Sequence, residues 1–186
     1  MKKTDNILSS DYREWWKNKK IYVFGTEGVK PDNVRNTIGI ICDIIKEFNL
    51  PLCILNRNEA KSKDIFVIKI LIINNTQQNL IDCESMEKEL IHFWKEDLLP
   101  YGLIVLVNPK KYEFKPLEHG DRAIYGYGTP KGLIILRGFD INNAVRHEFG
   151  HMIGLGSHHN NCVMHYSCSI EKFCDRCREK IENIWG

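Results

Sequence analysis

Val34, Ile38, Ile41, Ile44, Ile45 and Phe48 recur every three to four positions with polar residues between them, the spacing of one helical face. The pattern opens after Pro31 and Asp32 and meets Pro51, so an amphipathic helix packed on a sheet is predicted between the two prolines. Met86, Leu90, Ile91 and Trp94 predict a second helix, ended before Pro100. Elsewhere the apolar residues come in short runs. Residues 21–24, closed by Gly25, residues 52–55, residues 65–73 and residues 103–107 are predicted strands, the last of the fully buried kind. Residues 124–128 and 133–136 flank Thr129-Pro130-Lys131-Gly132, whose turn chemistry predicts a hairpin. The first 20 residues are largely polar around Tyr12, Trp15 and Trp16 and read as a solvated lead-in. With no internal repeat or low-complexity segment, this alternation indicates a mixed α/β or α+β layer fold.

Composition narrows the function. A chain of 186 residues with 43% hydrophobic content builds a real core and falls in the range of one domain, here residues 1–186. Its 26 Lys plus Arg against 24 Asp plus Glu leave a formal charge of +2, too weak a field for nucleic acid. There is no long apolar run for a membrane span, and the amino terminus carries charges where a signal peptide needs apolar residues. A cytoplasmic protein, expected to be a monomer, is the reading.

Of seven cysteines, Cys162, Cys168, Cys174 and Cys177 cluster with histidines in the last 25 residues, which points to metal and not to disulfides. Cys42, Cys53 and Cys83 lie in apolar or amphipathic runs and are expected to be small buried hydrophobes.

The decisive stretch begins at His147-Glu148-x-x-His151. On a helix the two histidines project about 40° apart and can grip one cation, while Glu148, turned about 100° from His147, stays beside it without ligating. Three neutral imidazoles leave a divalent charge uncompensated, so a water at the fourth position loses its proton near neutrality. Glu148 can collect that proton and pass it to a leaving amine. Gly154 is placed to take positive φ, end the helix and turn the chain back, and either His158 or His159 can close the site. A second site is implied by His159-x-x-Cys162 with Cys174-x-x-Cys177, pairs with the spacing of structural zinc. Three thiolates and one imidazole give that site one net negative charge and no room for water. Cys168 is the competing fourth ligand; His159 is preferred because Cys162 and Cys168 lack the tight spacing. Thioredoxin-like redox pairs follow a strand and open a helix at the start of a βαβ unit, whereas Cys174-x-x-Cys177 lies near the chain end with other metal ligands just upstream, so the redox reading is set aside.

These residues resemble the archaemetzincins, two-zinc metzincin-type metallopeptidases. The likeness rests on His147-Glu148-x-x-His151-x-x-Gly154, Cys162-Val163-Met164 and Cys174-x-x-Cys177, with the Cys-x-Met step its specific part. It is strong over residues 147–177, weaker over residues 124–136 and thin before that. It implies an α+β, zincin-like single domain with a twisted mixed sheet, an active-site helix carrying the histidine motif, and a zinc-stapled C-terminal segment. It also implies two Zn²⁺ ions, one catalytic and one structural, Met164 as an apolar floor below the catalytic ion, and residues 124–128 as an edge strand that pairs with extended substrate. Two departures stand out. Ser157 occupies the usual place of the third histidine, so a one-residue insertion makes His158 the catalytic ligand and His159 the first of the second site; without it, His158 joins the sulfurs. The loop from Met164 to Cys174 is also shorter than the family's, which keeps Cys168 in contention.

The function expected on this basis is a zinc-dependent peptidase, of aminopeptidase type by the resemblance, acting on peptides with Glu148 as general base. Tyr166 is placed to reach the oxyanion, with ordinary packing its alternative. A catalytically weak or inactive zinc-binding interaction module is the rival reading.

Overall fold

A seven-residue strand with six consecutive buried positions is what a run such as Leu103-Ile104-Val105-Leu106-Val107 dictates, since a strand covered on both faces needs no polar alternation. In the computed structural model that strand is β5 (Tyr101–Val107), at the centre of a five-stranded sheet. The structure describes residues 20–55, 59–99, 101–117, 126–129, 133–137, 142–156, 161–165 and 170–186.

Around β5 stand β1 (Lys20–Gly25), β2 (Cys53–Ile54), β7 (Gly126–Gly128) and β8 (Leu133–Arg137), in the order β2-β1-β5-β8-β7. The first four are parallel. Strand β7 closes one edge antiparallel to β8, with Gly126 opposite Leu136 and Gly128 opposite Ile134, so the sheet is mixed. The predicted hairpin is present in this pairing, although Ile124, Tyr125 and the turn at residues 130–132 lie outside the described residues. A small second sheet joins β3 (Thr76–Gln77), β4 (Leu80–Ile81) and β6 (Glu113–Phe114).

Helices cover both faces. Helix α1 (Pro31–Glu47) follows the predicted periodicity, with Ile40, Ile41 and Ile44 buried against Ile21, Val23, Ile104 and Leu106. The same core takes α4 (Asn142–Met152) and α5 (Asp175–Trp185) through Phe149, Met152, Cys177, Ile181 and Trp185. On the opposite face α2 (Ser62–Asn74) and α3 (Cys83–Lys95) pack Ile68, Leu71, Met86 and Leu90 against Tyr22, Leu103, Val105 and Val107. None of the described helices is long and apolar enough to cross a membrane.

Two expectations are corrected. Residues 65–73 are not a strand but the body of α2. Its β-branched run is apolar nearly all round, which hides the helical period. The residues it buries, Asp64, Ile68, Leu71 and Ile72, nevertheless recur at helical spacing, and the Asp64 carboxylate accepts the Lys61 backbone N–H at 3.2 Å to start the helix. Cys53 is exposed and Cys42 half-buried; of the three cysteines expected inside, Cys83 is the buried one. Cys174 is the N-cap of α5, so the Cys174-x-x-Cys177 pair opens a helix, and among the described residues the element before it in the chain is α4, not a strand.

Candidate metal centre

Helix α4 brings His147, Glu148 and His151 to the β7 edge of the sheet, and its end is set by Gly154. That glycine has φ +106°. Its N–H donates to the His151 carbonyl at 3.1 Å, and the Leu155 N–H reaches the Gly150 carbonyl at 2.9 Å, the paired bonds of a Schellman termination. The chain reversal has a chemical result: the Leu155 carbonyl lies 2.6 Å from His151 Nδ1. The Trp185 indole N–H then caps the Ile153 carbonyl at 3.0 Å, tying α5 to the same helix end.

His147 is aimed by a different segment, with its Nδ1 2.9 Å from the carbonyl of Val163, in the turn that follows Cys162. A carbonyl oxygen only accepts, so each Nδ1 carries the hydrogen, and a neutral imidazole then presents a bare lone pair at Nε2. The two Nε2 atoms face each other at 3.2 Å. At a zinc–nitrogen length of about 2.1 Å they would subtend about 100° at a shared ion, close to tetrahedral. The donor set therefore fits zinc, with main-chain carbonyls as its outer support. Burial first, and the neighbouring charge of His165, push the His147 pKa down against the pull of the Val163 carbonyl, which keeps the ring neutral. Nothing in the sequence reading assigned His165 a role.

Glu148 lies across the glycine-rich edge strand. A Cβ on Gly126 would sit 2.8 Å from Glu148 Cδ and Oε1; one on Gly128 would sit 2.9 Å from Oε2 and closer still to the Glu148 carbonyl oxygen. Only glycine permits this approach. Gly128 also donates its N–H to the carboxylate, while Tyr127, facing the other way, donates its hydroxyl to Glu87 on α3 at 2.9 Å. Burial pushes the Glu148 pKa up to about 8, and the Gly128 N–H draws it back only in part. Relative to an unfolded value of 4.5, the folded carboxyl holds its proton longer. Protein stripped with a chelator should therefore lose stability as pH rises from about 4.5 to about 8. Melting temperatures across that range should show the decline in wild type and lack it in Glu148→Gln, and zinc should flatten it by favouring the anion.

Beneath the helix, Met164 packs against Gly150, where a Cβ would collide with its sulfur and stand 3.2 Å from Phe173 Cε1. Two residues before Met164, Cys162 joins Cys174 and Cys177, with all three sulfurs within 4.8 Å of one another. Cys162 and Cys177 Sγ are 3.6 Å apart, against about 3.8 Å for two thiolates on one tetrahedral zinc. Backbone N–H groups of Met164 and Cys174 point at Cys162 Sγ from 3.4 and 3.3 Å. Burial and the two neighbouring sulfurs hold the Cys177 thiol above its ordinary range. At Cys174 burial also pushes upward, but the Cys177 and Arg176 backbone and the adjacent thiols outweigh it and favour the thiolate. This cluster too has the donors and spacing of a zinc site.

The structure thus unites His147 with His151, and Cys162 with Cys174 and Cys177. His158, His159, Tyr166 and Cys168 lie outside the described residues. No protein-family model matches the chain. An archaemetzincin of Nanoarchaeum equitans is 36% identical over an alignment of 73 positions, which covers 32% of this chain and 43% of that protein's length. A crystal structure of an archaemetzincin from Methanopyrus kandleri matches 89% of this chain and 94% of its own with a TM-score of 0.51, at 15% identity. The chain has the archaemetzincin fold. Sequence and fold together bear out the resemblance carried by the histidine and Cys-x-Met motifs.

Proposed function

We propose that residues 1–186 form one archaemetzincin-like metallopeptidase domain, hydrolysing peptide bonds from substrates with a free amino terminus. The observation that carries this reading is the pair of Nε2 atoms facing at 3.2 Å with both Nδ1 atoms on main-chain carbonyls, an arrangement that a shared cation would satisfy. His147 and His151 would hold the catalytic zinc, with His158 as third ligand. Cys162, Cys174 and Cys177, completed by His159, would hold a structural zinc. Bound at the histidines, zinc supplies Lewis acidity toward the scissile carbonyl and acidifies water beside it.

The remaining work belongs to the chain. Glu148 accepts the proton of the attacking water at a carboxylate oxygen and returns it to the amine nitrogen as the C–N bond breaks. Its cradle of Gly126 and Gly128 fixes where that oxygen stands. Strand β7, at the sheet edge, offers main-chain groups to an extended peptide and so holds the scissile bond beside Glu148. Met164 excludes water from below.

Zinc analysis of the purified full chain is expected to give two ions. The loaded protein should cleave unblocked peptides and spare acetylated ones, and a chelator should stop cleavage. Tightly held zinc without hydrolysis across a peptide library would instead establish the binding-module reading. Equal cleavage of acetylated peptides would remove the aminopeptidase assignment.

A further inference from the structure

The two metal sites share three residues of chain. Cys162, Val163 and Met164 are all fully buried. One end of the turn supplies a sulfur to the cysteine cluster, its middle carbonyl orients His147, and its other end packs under Gly150. The turn is closed by the His165 N–H on the Cys162 carbonyl at 2.9 Å and anchored by the Val163 N–H on the Lys172 carbonyl at 2.8 Å. His151 is held from a different turn: its Nδ1 rests on Leu155, within the termination of its own helix.

We propose that the cysteine cluster acts as a positioning device for His147, so that metal at Cys162, Cys174 and Cys177 strengthens metal binding at the histidine pair through the Val163 carbonyl. This inference rests on the two-site reading above. Pinning Cys162 fixes the Val163 carbonyl, and that oxygen holds both the ring plane and the hydrogen of His147. With the cluster empty, the turn loses one of its anchors, and the His147 ring can rotate or take its hydrogen on Nε2. Loss of such outer support costs about 10–100-fold in metal affinity. Linkage makes the effect reciprocal: metal at the histidine pair must tighten the cysteine cluster by the same factor.

The test compares full-length wild type, Cys174→Ser, His147→Ala and His151→Ala, with folding checked by circular dichroism. Cobalt titrations against a competing chelator read each site separately, the cysteine cluster by its thiolate-to-cobalt charge-transfer band and the histidine pair by its visible bands. Cys174→Ser should lower affinity at the histidine pair at least tenfold. Both histidine variants empty the histidine pair and should weaken the cysteine cluster, and His147→Ala, which also removes the contact with the Val163 carbonyl, should weaken it further than His151→Ala. That contrast holds even if Cys174→Ser does not fold, and any through-space effect of the missing ion is common to both histidine variants. Two metals in wild type with equal cluster affinities in His147→Ala and His151→Ala would overturn the coupling and leave the peptidase reading standing. No metal at the wild-type histidine pair would overturn both.

Discussion

Glu148→Gln should bind zinc as the wild type does and lose about 10²–10⁴-fold in kcat, the range ascribed to a positioned general base. Glutamine fills the same volume between Gly126 and Gly128, and its carbonyl oxygen can still accept the Gly128 N–H. What it lacks is basicity. Both histidines keep their carbonyl partners at Val163 and Leu155, so metal analysis should show unchanged loading. The substitution also removes a carboxyl that burial holds near pKa 8, so the chelator-stripped variant should be at least as stable as wild type at alkaline pH. A drop in kcat without a drop in zinc content or stability assigns the loss to proton transfer. Undiminished turnover at equal zinc content would exclude Glu148 as the base.

The second large effect is expected at a residue with no side chain. In Gly128→Ala the new methyl falls on the carbonyl oxygen of Glu148 and within 3.0 Å of its Cα. Those atoms belong to the backbone of α4, so no rotamer change relieves the contact, and strand and helix must separate. Overpacking of this kind costs about 1–3 kcal/mol. Displacing the proposed general base by about 1 Å should cost about 10²-fold in rate. Gly126→Ala should be milder in denaturation, because its methyl meets only the Glu148 side chain, which can swing aside at the expense of activity. Gly156→Ala, with nothing within 4 Å, is the neutral control. Denaturant midpoints and kcat for the three variants check the order. Wild-type behaviour of Gly128→Ala would mean that β7 does not approach α4 as described.

Where the chain is amphipathic, the pattern of its apolar residues was enough to place the elements: α1 and α3 lie where their periodicity puts them, and β5 where an unbroken aliphatic run puts it. Helix α2 was misread because Ile65-Phe66-Val67-Ile68 is rich in strand-favouring residues and shows no polar face; packing against α3 and β5 decided it. The two-residue strands β3, β4 and β6 carry no period at all. At the site, ligand spacing on a helix and Gly154 at its end were legible, since both follow from local geometry. The roles of Gly126 and Gly128 were not, because they depend on how closely a helix two elements further along the chain passes over them. A glycine-x-glycine strand ahead of the metal helix is the signal that would have found them.

The imidazoles are aimed by the oxygens of Val163 and Leu155, which are main-chain atoms common to every amino acid. Substitutions of the Val163 or Leu155 side chain alter volume and leave the aim intact, whereas a gain or loss of residues in the two turns would spoil it. Such an arrangement tolerates extensive drift in the side chains at both positions.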